Sequence, residues 1–430
     1  MRIFLISIAV LLLHTYTMGG AMSGETGEEE QLPSTEVITK EQAHESEEIA
    51  KEQAYGSEEI AKEQVYGSEQ TPEEITDELL NGYDFTELNR QLHQIGGLET
   101  YDFEDLLELL MQGDVGIYSG NIEGIGQLLY QVFLSELNVN RGLMLKMTGL
   151  AILMAVFTNL SSSSSKGTVS ENGFYVTYLV MTLLFLTAYQ TMYELTDSAF
   201  QDLQTIMYAL IPVYMAAVGF SSGITSAAVM EDSLLIGLTM ISKAVQTWIF
   251  PMIHVYFALG LTDQLMKREF FSQLSELIKS AVSWLLKSIL AVTVGLNAIK
   301  SMLAPAVDSV TAAALQRGLK IIPGGDTASM VSGVVIGSGV LIKNAIGVGG
   351  ICVLVFAVSV PVVKLTAIVL LYKMMEAVLQ PIADPRMIKG LKVVDQSGQL
   401  LVSVLLAEIS LFLISIAITA NHTNMNYYAG

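Results

Sequence analysis

"LLVSVLLAEISLFLISIAITA", Leu400 to Ala420, sets one carboxylate, Glu408, among twenty apolar or small residues. A helix needs about 20 mostly apolar residues to cross the hydrocarbon core of a bilayer. The stretch therefore reads as a membrane span, and working back along the chain finds others. "GLMLKMTGLAILMAVFTNL" starts at Gly142, with Lys146 placed to snorkel. "GFYVTYLVMTLLFLTAYQTMY" starts at Gly173, and "TIMYALIPVYMAAVGF", interrupted by Pro212, at Thr205. The tract from Ser233 to Leu261 is too long for one comfortable span and contains Lys243 and Pro251. "AVSWLLKSILAVTVGLNAI" follows from Ala281, and Val331 to Leu379 is a long apolar tract broken by "GVGG" and Pro361. The expectation is an all-α polytopic membrane helix bundle of about seven spans, six to eight allowed, because hydropathy alone cannot tally broken segments.

Composition agrees. Of 430 residues 51% are hydrophobic and 15% charged, with a mean hydropathy of +0.50. A soluble domain carries about 25% charged residues. The net charge of −21 is uneven: Met22 to Asn140 holds 28 acidic and 4 basic residues, Arg141 to Gly430 holds 15 and 17. Such asymmetry implies two environments, and the acidic part would repel nucleic acid.

The N-terminus reads as a secretory signal peptide, residues 1–23: Arg2, an apolar Ile3 to Leu13, then Gly19, Gly20, Ala21 and Ser23. Residues 24–72 are acidic and contain the near-repeat "KEQAHESEEIA KEQAYGSEEIA KEQVYGSEQTP" from Lys40 to Pro72. With so few apolar groups this region cannot offset chain entropy and is expected to be a disordered tether. Residues 73–140 alternate helical apolar patterns with Gly breaks and read as two to four short extracytoplasmic amphipathic helices, better suited to a protein neighbour than to anionic lipid. Residues 141–430 form the multi-pass domain. Basic residues in short loops set orientation. "SSSSSKG" (Ser161 to Gly167) and "DPRMIKGLK" (Asp384 to Lys392) are expected in the cytoplasm, and the acidic residues Glu194, Asp197 and Asp202 in an outside loop. "DQLMKREF", around Lys267, fits that alternation only if the tract before it is counted in one particular way.

Ionisable residues inside spans are costly and so are candidates for function. Glu408 is the sharpest, with Lys364 as a partner across the bundle and Lys343 as a further candidate. Gly333 and Gly337 form a small-xxx-small pattern, and Gly347 opens the glycine run; these suit either close helix packing or a broken helix facing a cavity. No nucleotide loop, HExxH or paired-cysteine site is present; Cys352 is the lone cysteine and the five histidines are scattered. No catalytic residue, cofactor or metal is expected.

"LIKNAIGVGG" (Leu341 to Gly350), "YKMMEAVLQPIADPRMIKGL" (Tyr372 to Leu391), "FLSELNVNRGLMLKMTGLAILMAVFTNL" and "APAVDSVTAAALQRGLK" together resemble the stage III sporulation protein AE family of endospore-forming bacteria. The resemblance runs from about Tyr83 onward and excludes the acidic repeat. It implies a non-enzymatic subunit, in the mother-cell membrane around the forespore, of a secretion-like channel complex supporting late forespore gene expression. Implied partners are the other stage III A-operon membrane proteins, a forespore membrane protein and the lipid bilayer, with the ATPase a separate subunit. The alternative from the residues alone is a stand-alone permease for a small solute.

Overall fold

The computed structural model describes residues 76, 78–94, 102–111, 116–163, 168–222, 224–265, 270–319 and 325–428. The expected signal peptide and the acidic repeat lie outside the described residues. Among those described, all regular structure is helical: α1 (Thr86–Leu92), α2 (Phe103–Met111), α3 (Gly116–Ser163), α4 (Thr168–Ser222), α5 (Ile224–Ala244), α6 (Phe250–Leu265), α7 (Ser272–Leu319), α8 (Gly325–Leu379) and α9 (Pro385–Tyr428). A single π turn, Val245–Ile249, joins α5 to α6. Pro251 stands two residues past its end; a proline lacks the N–H donor and crowds the carbonyl four residues back, here Thr247, and widening the helix locally relieves both.

Among the described residues, six stretches are long and apolar enough to cross a membrane: Leu129–Phe157, Tyr175–Phe220, Leu234–Gln264, Ser272–Gly295, Gly337–Leu379 and Pro385–Ala420. The number is six rather than seven because the second and third expected spans are one helix. Glu194, Asp197 and Asp202, expected in an outside loop, sit mid-way along α4, which also continues through Pro212. Likewise "GVGG" and Pro361 do not break α8. The structure thus corrects the broken-segment reading of Val331 to Leu379. Backbone polar groups in lipid must be satisfied within the segment, and an uninterrupted helix does so. In the same way α3 carries the chain without a break across Asn140 and Arg141.

The trunk is α4, α8 and α9, each packed against the other two, with α3 added on α4 and α8, α5 on α4, and α6 and α7 on α9. Glycines set how closely these helices approach. A Cβ on Gly398 would lie 2.5 Å from Val369 Cγ2 and 2.8 Å from Met192 Sδ; on Gly390, 2.6 Å from Phe185 Cε2; on Gly350, 2.5 Å from Leu210 Cδ2; on Gly260, 2.7 Å from Val393 Cγ1. These contacts fix register: α4 runs parallel to α9 and antiparallel to α8, and α6 antiparallel to α9. Asp384 starts α9: its Oδ1 accepts the Arg386 N–H at 2.9 Å, and Pro385 occupies the first helical position.

The alternation brings three connections to one end of the bundle. Gly173 faces Phe157 where α3 passes to α4. Asp263 Oδ1 accepts the N–H groups of Phe270 (2.8 Å) and Phe271 (2.9 Å) where α6 passes to α7. The Leu379 carbonyl accepts from Ile382 and Ala383 where α8 turns into α9. The sequence around these places holds Lys166, then Lys267 and Arg268, then Arg386 and Lys389. Counting Leu234–Gln264 as one span therefore puts the troublesome Lys267 segment with the other basic connections. The opposite end carries Arg317 along with Glu231, Asp232 and Asp326.

The glycine seats give a direct contrast. Gly398→Ala should destabilise the folded chain by about 1–3 kcal/mol, as overpacking does. Gly149→Ala, with nothing within 4 Å of the added Cβ, should be neutral or stabilising. Thermal unfolding of the two variants in detergent measures the difference.

Candidate functional site

Glu408 lies at mid-length of α9, between Val404 and Leu405 on one side and Leu411 and Phe412 on the other, and all of these are buried. The carboxyl is itself enclosed, 1% exposed, and its Oε1 has no hydrogen-bond partner. Leaving a buried polar group unsatisfied costs about 1–3 kcal/mol, more for a charge. The expected pairing with Lys364 does not form. Val369 against Gly398 sets the antiparallel register of α8 and α9. That register puts Lys364 opposite residue 403, about 7.5 Å along the axis from Glu408 at about 1.5 Å per residue. Lys364 is only half-buried, and its long stem lets it reach outward instead.

Lys343 is fully enclosed on α8, between the turns where Gly339 meets Phe220 and Gly347 meets Tyr214. It stands about 15 residues' height from the Glu408 level, so the three ionisable candidates do not converge. Of the glycine candidates, Gly347 is a packing seat, with an added Cβ 3.2 Å from Tyr214 Cε2. Gly337 has nothing within 4 Å, and the close approach belongs to Gly339, two residues on. The surroundings of Gly333 lie outside the described residues.

Three buried carboxylates escaped the sequence reading: Glu231 on α5, Asp263 on α6 and Asp395 on α9. Asp263 holds the α6–α7 connection described above. Asp395 accepts from Gln399 Nε2 at 2.9 Å and stands beside Gln396, which accepts from the Tyr256 hydroxyl. Nearby, Tyr189 stacks on Phe257 (centroids 4.1 Å), and His254 meets Tyr189 and Tyr193 edge-on at 5.4 and 4.6 Å. Tyr178 donates to the Leu261 carbonyl at 3.3 Å. This polar and aromatic layer binds α4, α6 and α9 together. Its signal in the sequence is faint, since each group looks like a surface residue until the facing helix is known. Among the described residues no group of three or more His, Cys, Asp or Glu could hold a metal ion.

At the end away from the basic connections, the helices α1 and α2 cover the bundle. Phe103 and Leu107 approach Gly349 of α8; an added Cβ there would lie 3.1 Å from Phe103 Cζ and 3.2 Å from Leu107 Cδ2. Thr76 Oγ1 donates to Ser338 Oγ at 3.0 Å. Phe85 and Phe103 pack at 5.5 Å, and Asn89 ties α1 to α2 by accepting from Phe103 N (2.8 Å) and donating to Glu104 (2.7 Å). Their outer faces are charged, with Arg90 paired to Glu87 at 2.6 Å and both well exposed. Asp84 accepts the Thr86 N–H at 2.9 Å. Hydrogen bonds from the Thr86 side chain and backbone hold its carboxyl below the usual carboxylate value. These two helices pack on α4 and α8 of the same chain.

A family model described as Stage III sporulation protein AE matches residues 101–423. The chain is 23% identical over 290 residues to the stage III sporulation protein AE of Bacillus subtilis (strain 168), spanning 65% of this chain and 72% of that one. No solved structure matches.

Phe103→Ala should cost about 3–5 kcal/mol locally and loosen α1 and α2 from the bundle. Limited proteolysis in detergent should then cut between residues 78 and 111 before the trunk. Acidification is a second check. Because Asp84 is more acidic folded than unfolded, its support of α1 is present above its ordinary value of 3.8 and fades as pH falls below it. Amide exchange at Thr86 should therefore speed up selectively in that range.

Proposed function

We propose, on the premise that the chain belongs to the stage III sporulation protein AE family, that it is a non-enzymatic subunit of a secretion-like channel complex joining mother cell and forespore. It sits in the mother-cell membrane around the forespore as a six-span bundle. The end bearing Arg386 and Lys389, where by sequence the connections containing Lys166 and Lys267 also fall, faces the mother-cell cytoplasm, following the bias of short basic loops toward that side. The α1–α2 cap, the acidic tether and the C-terminus face the space between the membranes. Its partners are the other stage III A-operon membrane proteins and a forespore membrane protein, and the complex supports late forespore gene expression.

The observation that carries this reading is the two-ended bundle in a chain of this family: basic connections gathered at one end and acid-faced helices packed over the other. That end is water-facing and offers carboxylates to partners in the intermembrane space. The buried polar candidates Glu408, Lys343 and Lys364 and the glycine seats belong, in this reading, to bundle assembly rather than to chemistry. The permease alternative is separated by partner dependence, since a permease moves solute alone.

Two measurements test the proposal. Reporter fusions after Lys166, Arg268 and Ala383 should report cytoplasm, and fusions at Gly223 and at the C-terminus the outside; a reversed pattern overturns the orientation. Affinity capture from sporulating cells should bring down other A-operon membrane proteins. Solute uptake by the purified chain alone in liposomes would favour the permease.

A further inference from the structure

Four helices enclose a gap in the trunk. The helix α5 packs on α4 and α7, and α9 packs on the same two, yet α5 and α9 make no substantial contact with each other. Between them lies a small pocket, open in part to the exterior, walled by Met207 and Ile211 of α4, Leu238 of α5, Thr293 of α7, and Leu411 and Phe412 of α9. These walls are mostly apolar, with the hydroxyls of Thr293 and Ser415 among them.

One turn beyond the walls, three polar side chains occupy the same faces. Gln204 precedes Met207 by three residues and Ile211 by seven; Ser242 follows Leu238 by four; Glu408 precedes Leu411 and Phe412 by three and four. Residues at such spacings share one face of a helix. Their heights agree as well. The Tyr208 hydroxyl bonds Thr239 Oγ1 at 2.9 Å, which sets α4 against α5 and puts Gln204 level with residue 243. The contacts of Gly390 with Phe185 and of Gly398 with Met192 set α4 against α9 and put Gln204 within about two residues of Glu408.

All three present a buried atom with no hydrogen-bond partner: Gln204 Nε2, Ser242 Oγ and Glu408 Oε1. Orphaned buried polar atoms are uncommon in native proteins. Nine buried side-chain atoms among the described residues lack a hydrogen-bond partner, and three of them, one from each of three helices, stand at one height without satisfying one another, an arrangement that a small polar species between them would satisfy. A carboxylate this enclosed also needs a positive charge beside it. No neighbouring helix supplies one. The charged or titratable groups nearest this level are Asp202 on α4, Lys243 on α5, His254 on α6, Lys287 on α7 and Lys364 on α8. Asp202, Lys243 and Lys287 are exposed and Lys364 half-exposed, His254 bonds the Phe250 carbonyl through Nδ1, and none bonds Glu408.

We propose that Glu408, Gln204 and Ser242 form a binding site for one small monovalent cation, a sodium ion or a proton carried with an ordered water, at the base of the α4–α5–α7–α9 gap. Glu408 supplies the compensating charge. The Ser242 hydroxyl supplies an oxygen ligand, and the Gln204 amide supplies either an oxygen or a donor to a bridging water, since its two ends exchange by rotation. The mostly apolar walls exclude larger hydrated ions and admit water-sized species from the exterior. This inference concerns a site within the single chain and does not depend on the channel reading.

The test uses the full chain purified in detergent, in sodium-free choline buffer and with added sodium chloride. Equilibrium binding of radioactive sodium and the infrared band of a protonated carboxyl are read for wild type, E408Q, S242A and Q204L. A sodium site predicts one ion per chain, lost in E408Q and bound at least tenfold more weakly in S242A. A proton site predicts a protonated-carboxyl band at neutral pH, insensitive to sodium, absent in E408Q and shifted in Q204L or S242A. Should E408Q fail to accumulate, the wild type and the other two variants give the same readings. Wild type that retains no sodium and shows no protonated-carboxyl band overturns the proposal, and so does a signal that Q204L and S242A both leave unchanged.

Discussion

The trunk rests on close approach between helices that water does not drive together. Lipid tails are as apolar as leucine, so helices in a membrane associate through packing and polar contacts rather than through hydrophobic burial. Gly398 under Val369 and Met192, Gly390 under Phe185, and Gly350 under Leu210 let α4, α8 and α9 come near enough for that packing to extend along their length. Each seat fits one register only, since a shift by one residue would carry the glycine off the facing side chain. Every other feature of the bundle inherits its height from these contacts.

Length is the second consequence. The apolar stretch of α4 spans 46 residues and that of α8 spans 43. At about 1.5 Å per residue these are roughly 69 and 65 Å, about twice the hydrocarbon thickness. Such helices must project from the bilayer, and the projecting portion needs a covering that water tolerates. The helices α1 and α2 do this, turning Phe103 and Leu107 toward α8 and Glu87 and Arg90 toward solvent. Exposed apolar side chains elsewhere, including Leu183, Trp248 and Trp284, are those a lipid-facing surface requires. The result is a molecule whose two ends differ in charge and whose middle is held by a polar, aromatic layer.

Buried carboxylates differ in what satisfies them. Asp263, at the basic end, accepts two backbone N–H groups, and Asp395 accepts from Gln399 through Oδ2, while Asp395 Oδ1 and Glu408 Oε1 have no hydrogen-bond partner within the chain. The same geometry explains why Lys364, the partner expected from composition, is unavailable: five residues of register separate it from Glu408. A pair of opposite charges in a sequence becomes an ion pair only if the register permits.

The chain's own residues determined the class of molecule, because membrane crossing is a local property: enough consecutive apolar side chains, with basic residues between them, suffice. They also marked Glu408 as out of place, since a carboxylate in a long run of apolar and small residues is costly whatever surrounds it. Local reading could not tell a loop from a helix at Glu194 to Asp202, nor a hinge from a packing seat at Gly347 to Gly350. Acidic residues, glycine and proline signal a break only when no neighbouring helix favours continuation. Tertiary structure decided that both stretches stay helical, that Gly339 rather than Gly337 is the seat, and that Gln204, Ser242 and Glu408 share a layer. Those outcomes depend on which faces meet at which height, a relation between residues far apart in the chain that no window of sequence contains.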